Sequence, residues 1–134
     1  MTRWIPLLAV IALAGAAPAA PAAATLAVAE TRALLQNGVN QGRADLALQA
    51  RDRFAALAAA EPSNALLHYW TALADWRAFP LLTRSKSNAA AEAALDHAFT
   101  AADRALAADP KLAEAYALKA GLTGFRIQLG GMTE

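Results

Sequence analysis

Two histidines, His68 and His97, with a thin scatter of hydroxyl and acidic side chains, carry whatever reaction chemistry this chain has. No carboxylate cluster near either ring has metal-ligand spacing, and Asp96 and His97, adjacent on a helix, point apart, so no metal is expected. A hydrogen bond to a backbone or hydroxyl group is the expected use of each imidazole. Ser63, Ser85 and Ser87 fall in turns without the glycine elbow or paired base that activates a serine. Gly121, Gly124, Gly130 and Gly131 lie within or after a helix rather than behind a strand, so they read as close packing and termination, not a phosphate cradle. The absence of cysteine excludes disulfides, thiolate metal sites and a catalytic thiol. The expectation is a chain without enzymatic activity, cofactor or metal.

Recognition chemistry remains. Tyr69, Leu73 and Trp76 share one face at helical spacing, and Arg77 ends the stripe, an arrangement suited to an extended peptide. The bland use of the same residues is equally physical. An alanine-rich core needs large anchors, which Tyr69, Trp70 and Trp76 would supply, leaving Arg77 solvated. Arg77, Arg84 and Lys86 form the sharpest basic cluster, either a solvated face or a weak contact for an acidic partner or anionic lipid, worth about 1 kcal/mol per cation near such a surface.

The elements that must position these groups follow from composition and period. With 134 residues, 57% hydrophobic and 17% charged, the chain has the apolar material for one packed domain. Much of that material is alanine, which favours helix but buries little surface per residue, so helices must approach closely. Met1 to Ala24 has the order of a secretory signal: Arg3, the apolar run Trp4 to Ala14, then AGAAPAAPAAA with small-residue cleavage sites ending at Ala19 and Ala24. Cleavage after Ala24 is preferred, which leaves 25–134 as the mature domain in a periplasm or outside the cell, without a stable membrane span. An uncleaved anchor is the alternative; Pro18 and Pro21 interrupt the roughly 20 apolar residues that a span needs. Losing Arg3 makes basic and acidic counts equal, so there is no electrostatic footprint for nucleic acid.

Five helices are expected and no strand. The first runs from Thr25 to Gln36, with Leu26, Ala29, Ala33 and Leu34 inward, and ends at Asn37-Gly38 before the loop VNQG. Arg43 to Ala60 follows, stopped by Glu61-Pro62; Ser63-Asn64 then offers caps for Ala65 to Phe79. Pro80 closes that helix before a linker LLTRSKSN. A helix from Ala89 to Ala108, the punctuation Asp109-Pro110, and a last helix from Lys111 to Gln128 complete the chain, with Gly130-Gly131 as a tail. Short connections make neighbours antiparallel.

The chain also repeats itself. ALQARDRFAALAAAEPSNALLHYW, from Ala47, lies on LDHAFTAADRALAADPKLAEAYAL, from Leu95, with Pro62 on Pro110, Ala50 on Ala98 and His68 on Tyr116. Small residues at Ala50, Ala72, Ala98 and Ala105, large ones at Phe54, Leu106 and Tyr116, and the acidic-proline punctuation make Arg43 to Phe125 resemble two imperfect tetratricopeptide repeats. The spacing between the prolines exceeds the family's usual 34 or so residues, Leu81 to Asn88 is inserted, and Lys119 stands where a leucine is expected.

The resemblance implies an all-α solenoid of antiparallel helix pairs that binds a protein or peptide in a concave groove lined by the first helix of each pair. Carried over position by position, that groove consists of Tyr69, Leu73, Trp76 and Arg77, then Glu114 and Ala117. The expected function is an exported adaptor or scaffold. The alternative is a structural or accessory module of a larger envelope repeat protein, since Leu112, Tyr116, Leu118, Leu122, Phe125 and Ile127 do not share one stripe and leave an apolar outer face on the last helix for a partner or a second copy.

Overall fold

The computed structural model describes residues 20–131, and every element in it is an α-helix. In chain order these are α1 (Ala20–Gln41), α2 (Ala44–Ala60), α3 (Ala65–Arg84), α4 (Asn88–Ala108) and α5 (Ala113–Gly131). The all-helical expectation therefore holds for the described residues. Of the expected signal segment, residues 1–19 lie outside them; Ala20 to Ala24 form the first turns of α1. No described helix is long and apolar enough to cross a membrane.

Consecutive helices pack on one another, most extensively α3 on α4, while α3 also touches α1 and α5 more lightly. The core between them is made of alanines. Ala47, Ala50, Ala72, Ala74, Ala78, Ala91, Ala98 and Ala102 are all fully buried, with Phe54, Leu95 and Leu122 as the largest closed-off apolar side chains. Small side chains let the axes approach, and the few rings fill what remains. Phe79 stacks on Phe125 at 4.5 Å between centroids, and Phe54 on Trp70 at 5.7 Å.

Two helix ends depart from expectation. α1 does not stop at Asn37-Gly38. Gly38 is buried against α2, where a Cβ would sit 2.9 Å from both the Ala47 nitrogen and the Leu46 Cβ. Its lack of a side chain permits contact rather than a turn. The terminator is Gly42, at φ 66°, where Arg43 N–H donates to the Gly38 carbonyl at 2.8 Å and Gly42 N–H to Val39 at 3.2 Å. This is the Schellman closure that a left-handed residue allows. The inward face of α1 differs too: Thr31, Leu35 and Gly38 are buried, whereas Leu26, Ala29 and Ala33 are exposed.

Nor does Pro80 close α3, which continues to Arg84. An interior proline costs about 3 kcal/mol. Burial of Phe79 and Leu82 on either side of it returns about 1.5 to 3 kcal/mol each, enough to hold the helix together. The helix ends with a second Schellman closure, Ser87 N–H to Leu82 at 2.9 Å and Lys86 N–H to Thr83 at 3.0 Å, with Lys86 in the left-handed position at φ 60°. Asn64 stands at the N-cap of α3 without a capping side-chain bond. Its amide reaches Glu61 instead, at 3.1 Å. α5 extends through Gly131, so Gly130 and Gly131 belong to the helix and not to a tail.

The aligned stretches share local bonding. Glu61 N–H donates to Leu57 and Asp109 N–H to Ala105, at 3.1 and 2.8 Å; Leu67 N–H donates to Asn64 and Ala115 N–H to Leu112, at 3.2 and 3.1 Å. In each, the ring at the aligned position returns to the proline carbonyl. His68 Nε2 lies 2.8 Å from the Pro62 oxygen, and the Tyr116 hydroxyl donates to the Pro110 oxygen at 3.0 Å.

Candidate functional site

α3 carries most of the chemistry because it is central, with α1, α2, α4 and α5 all packed around it. The groove residues expected from sequence divide between its two flanks. Leu73 and Arg77 face α1, where with Trp70, Leu35, Val39 and Arg32 they line a cleft of about 460 Å³. Trp76 turns the other way. Its indole stacks on Phe125 at 6.0 Å and lies against Gly121, where a Cβ would be 3.3 Å from Nε1. That Nε1 is buried with no acceptor among the described residues.

Tyr69 is half-buried and meets Trp70 edge to face at 5.8 Å. Burial pushes its hydroxyl pKa up, the Glu114 charge adds to that, and Arg77 opposes it. Tyr69, Arg77 and Glu114 therefore lie within electrostatic reach of one another, Arg77 joining them to the cleft beside α1. Glu114 is exposed in the first turn of α5, as is Ala117 one turn later.

Sequence reasoning missed Arg32, and with it the cleft's second cation. The Arg32 guanidinium lies 4.6 Å above the Trp70 ring, and Arg77 lies 5.1 Å from the Trp76 ring. A guanidinium held over an aromatic face still has N–H groups to offer a carboxylate. Neither arginine is in an ion pair with a described carboxylate.

A second constellation was also missed. Asp75 is fully buried, accepts from Arg51 Nη1 at 3.0 Å through one oxygen, and lies 2.5 Å from His97 Nδ1 through the other. Burial raises its carboxyl pKa above the ordinary range, and the hydrogen bond to His97 and the Arg51 charge pull it back. The legible sign was position: Thr71, Asp75 and Ala78 share the buried stripe of α3, where an acidic residue survives only if paired. The expected backbone partner is found for His68; for His97 the partner is a carboxylate on another helix.

No group of His, Asp and Glu that could hold a metal ion occurs among the described residues. Comparison with known protein families, with curated proteins and with solved structures finds no match.

Proposed function

We propose that the chain is an exported helical-repeat adaptor whose α1/α3/α5 side binds an extended, acidic segment of a partner protein, without catalysing a reaction on it. The observation that carries this reading is the α1/α3 cleft, where Trp70 and Leu73 supply apolar surface and two arginines with no carboxylate partner among the described residues flank it. Each charge-assisted hydrogen bond from such a guanidinium to a carboxylate contributes about 1.5 to 3 kcal/mol. Leu73 and Trp70 would take apolar side chains of the segment, and Tyr69 and Glu114 would meet its polar groups further along α3 and α5. The repeated hydrogen bonding at Pro62 and Pro110 supports the helical-repeat reading, and the leader-like order of Met1 to Ala24 supports export.

The test uses the protein's own fluorescence, since Trp70 and Trp76 lie under the two guanidiniums. A short glutamate-rich peptide should change tryptophan emission saturably, and added salt should weaken its binding. Arg32→Gln/Arg77→Gln, shown by circular dichroism to be folded, should bind about tenfold or more weakly, the loss of about 1.4 kcal/mol. Equal binding by the double variant, or equal binding of a lysine-rich peptide, would remove the cleft from the function. N-terminal sequencing of the protein from fractionated cells tests export, which requires a start at or near Thr25.

A second reading has its own observation. On α5, Tyr116 is 54% and Ile127 72% exposed, an apolar outer surface on a helix that packs on α4 and lightly on α3. Self-association through this face predicts a concentration-dependent dimer in sedimentation, abolished by Ile127→Lys.

A further inference from the structure

Away from the α1/α3 cleft, residues of α2, α3 and α4 line a half-open cavity of about 500 Å³, within the range of pockets that hold small molecules. α4 contributes His97, Thr100, Ala101, Arg104 and Ala108, one face at helical spacing. α2 and the following turn add Ala55, Ala58, Ala59 and Pro62, and α3 adds His68 and Thr71. The walls are thus mainly methyl groups, and the charged or chargeable groups are two imidazoles and one guanidinium, with no aspartate or glutamate in the lining.

We propose that this cavity binds a small organic carboxylate, its apolar body against the alanines and its carboxylate between Arg104 and His97. Arg104 makes no ion pair or side-chain hydrogen bond with a described residue, so its charge is available. His97 is held from behind. Its Nδ1 is engaged by the fully buried Asp75, itself anchored by Arg51, which fixes the ring and leaves Nε2 as the nitrogen for the cavity. Asp75 and Arg51 are positioning residues here; Arg104 and His97 touch the ligand.

The chain has only two histidines, and both line the cavity. Imidazole resonances therefore report on this site alone. Sodium octanoate, titrated into the full chain, should shift the His97 and His68 ring signals saturably, while 1-octanol and inorganic phosphate at equal concentration should not. Arg104→Gln should weaken octanoate binding about tenfold, whereas Arg32→Gln, in the other cleft, should leave it unchanged. The proposal is overturned if octanoate moves neither imidazole, if octanol or phosphate moves them equally, or if Arg104→Gln binds as wild type does. Because Arg104 is exposed and has no partner among the described residues, its variant keeps the fold, which the His68 bond to Pro62 verifies in the same spectra.

Discussion

His97 and Asp75 meet at 2.5 Å across the α3/α4 interface, the histidine 43% exposed and the aspartate not at all. Arg51 shares the same carboxylate from α2, with 22% of its side chain exposed. One buried acceptor thus ties three helices together through two donors that still reach water, and this asymmetry sets how the site answers to mutation.

Removing a donor strands the buried charge, whereas neutralising the acceptor leaves cations that can rehydrate. Arg51→Met should cost about 3 kcal/mol and Asp75→Asn only about 1 kcal/mol in urea denaturation. The reverse order would mean that Asp75 is not the buried charge of the cluster.

The same carboxyl gives a pH signature. Its folded pKa lies above its unfolded value because burial outweighs its partners. Its contribution to stability is therefore full below the ordinary carboxylate range, near about 4, and is lost as pH rises through the folded value. The stability gap between wild type and Asp75→Asn should narrow as pH rises across that window. A gap that widens instead would show a folded pKa depressed by Arg51 and His97.

Two glycines of similar helical context should respond with opposite sign. Gly38→Ala drives a Cβ into α2 backbone and should destabilise by about 1 to 3 kcal/mol. Gly124→Ala, on α5 with nothing within 4 Å of its Cβ, should stabilise by about 0.5 to 1 kcal/mol. Melting temperatures moving in the same direction would contradict the α1/α2 packing.

Lys86 holds a left-handed conformation that glycine adopts without strain. Lys86→Gly should raise stability by roughly 0.5 to 1 kcal/mol, after the glycine's larger unfolded-state entropy is deducted. Lys86→Ala should gain nothing, since alanine meets the same steric penalty.

How far the sequence could be read depended on the range of the interaction. The ends of α2 and α4 were legible because Glu61-Pro62 and Asp109-Pro110 terminate helices by local sterics. Those of α1 and α3 were not. Asn37-Gly38 and Pro80 carry the same kind of local signal, but contact with α2 at Gly38 and burial of Phe79 and Leu82 override it. On the candidate groove, helical spacing put Tyr69, Leu73 and Trp76 on one face of α3, yet could not tell that Trp76 turns toward Gly121 and Phe125 on α5 while Leu73 lines the cleft beside α1.

By itself the sequence determined that the described chain is helical, that alanine would line its interfaces, and that the turns at Pro62 and Pro110 are alike. Those properties rest on backbone propensity and on residues three or four positions apart. Only the tertiary structure decided that Asp75 would find Arg51 and His97, 24 and 22 positions away, and that Arg32, Arg77 and Arg104 would have no carboxylate partner among the described residues. Such pairings depend on how helix axes cross and which faces they close, a balance of many small packing contacts that no single residue's spacing encodes.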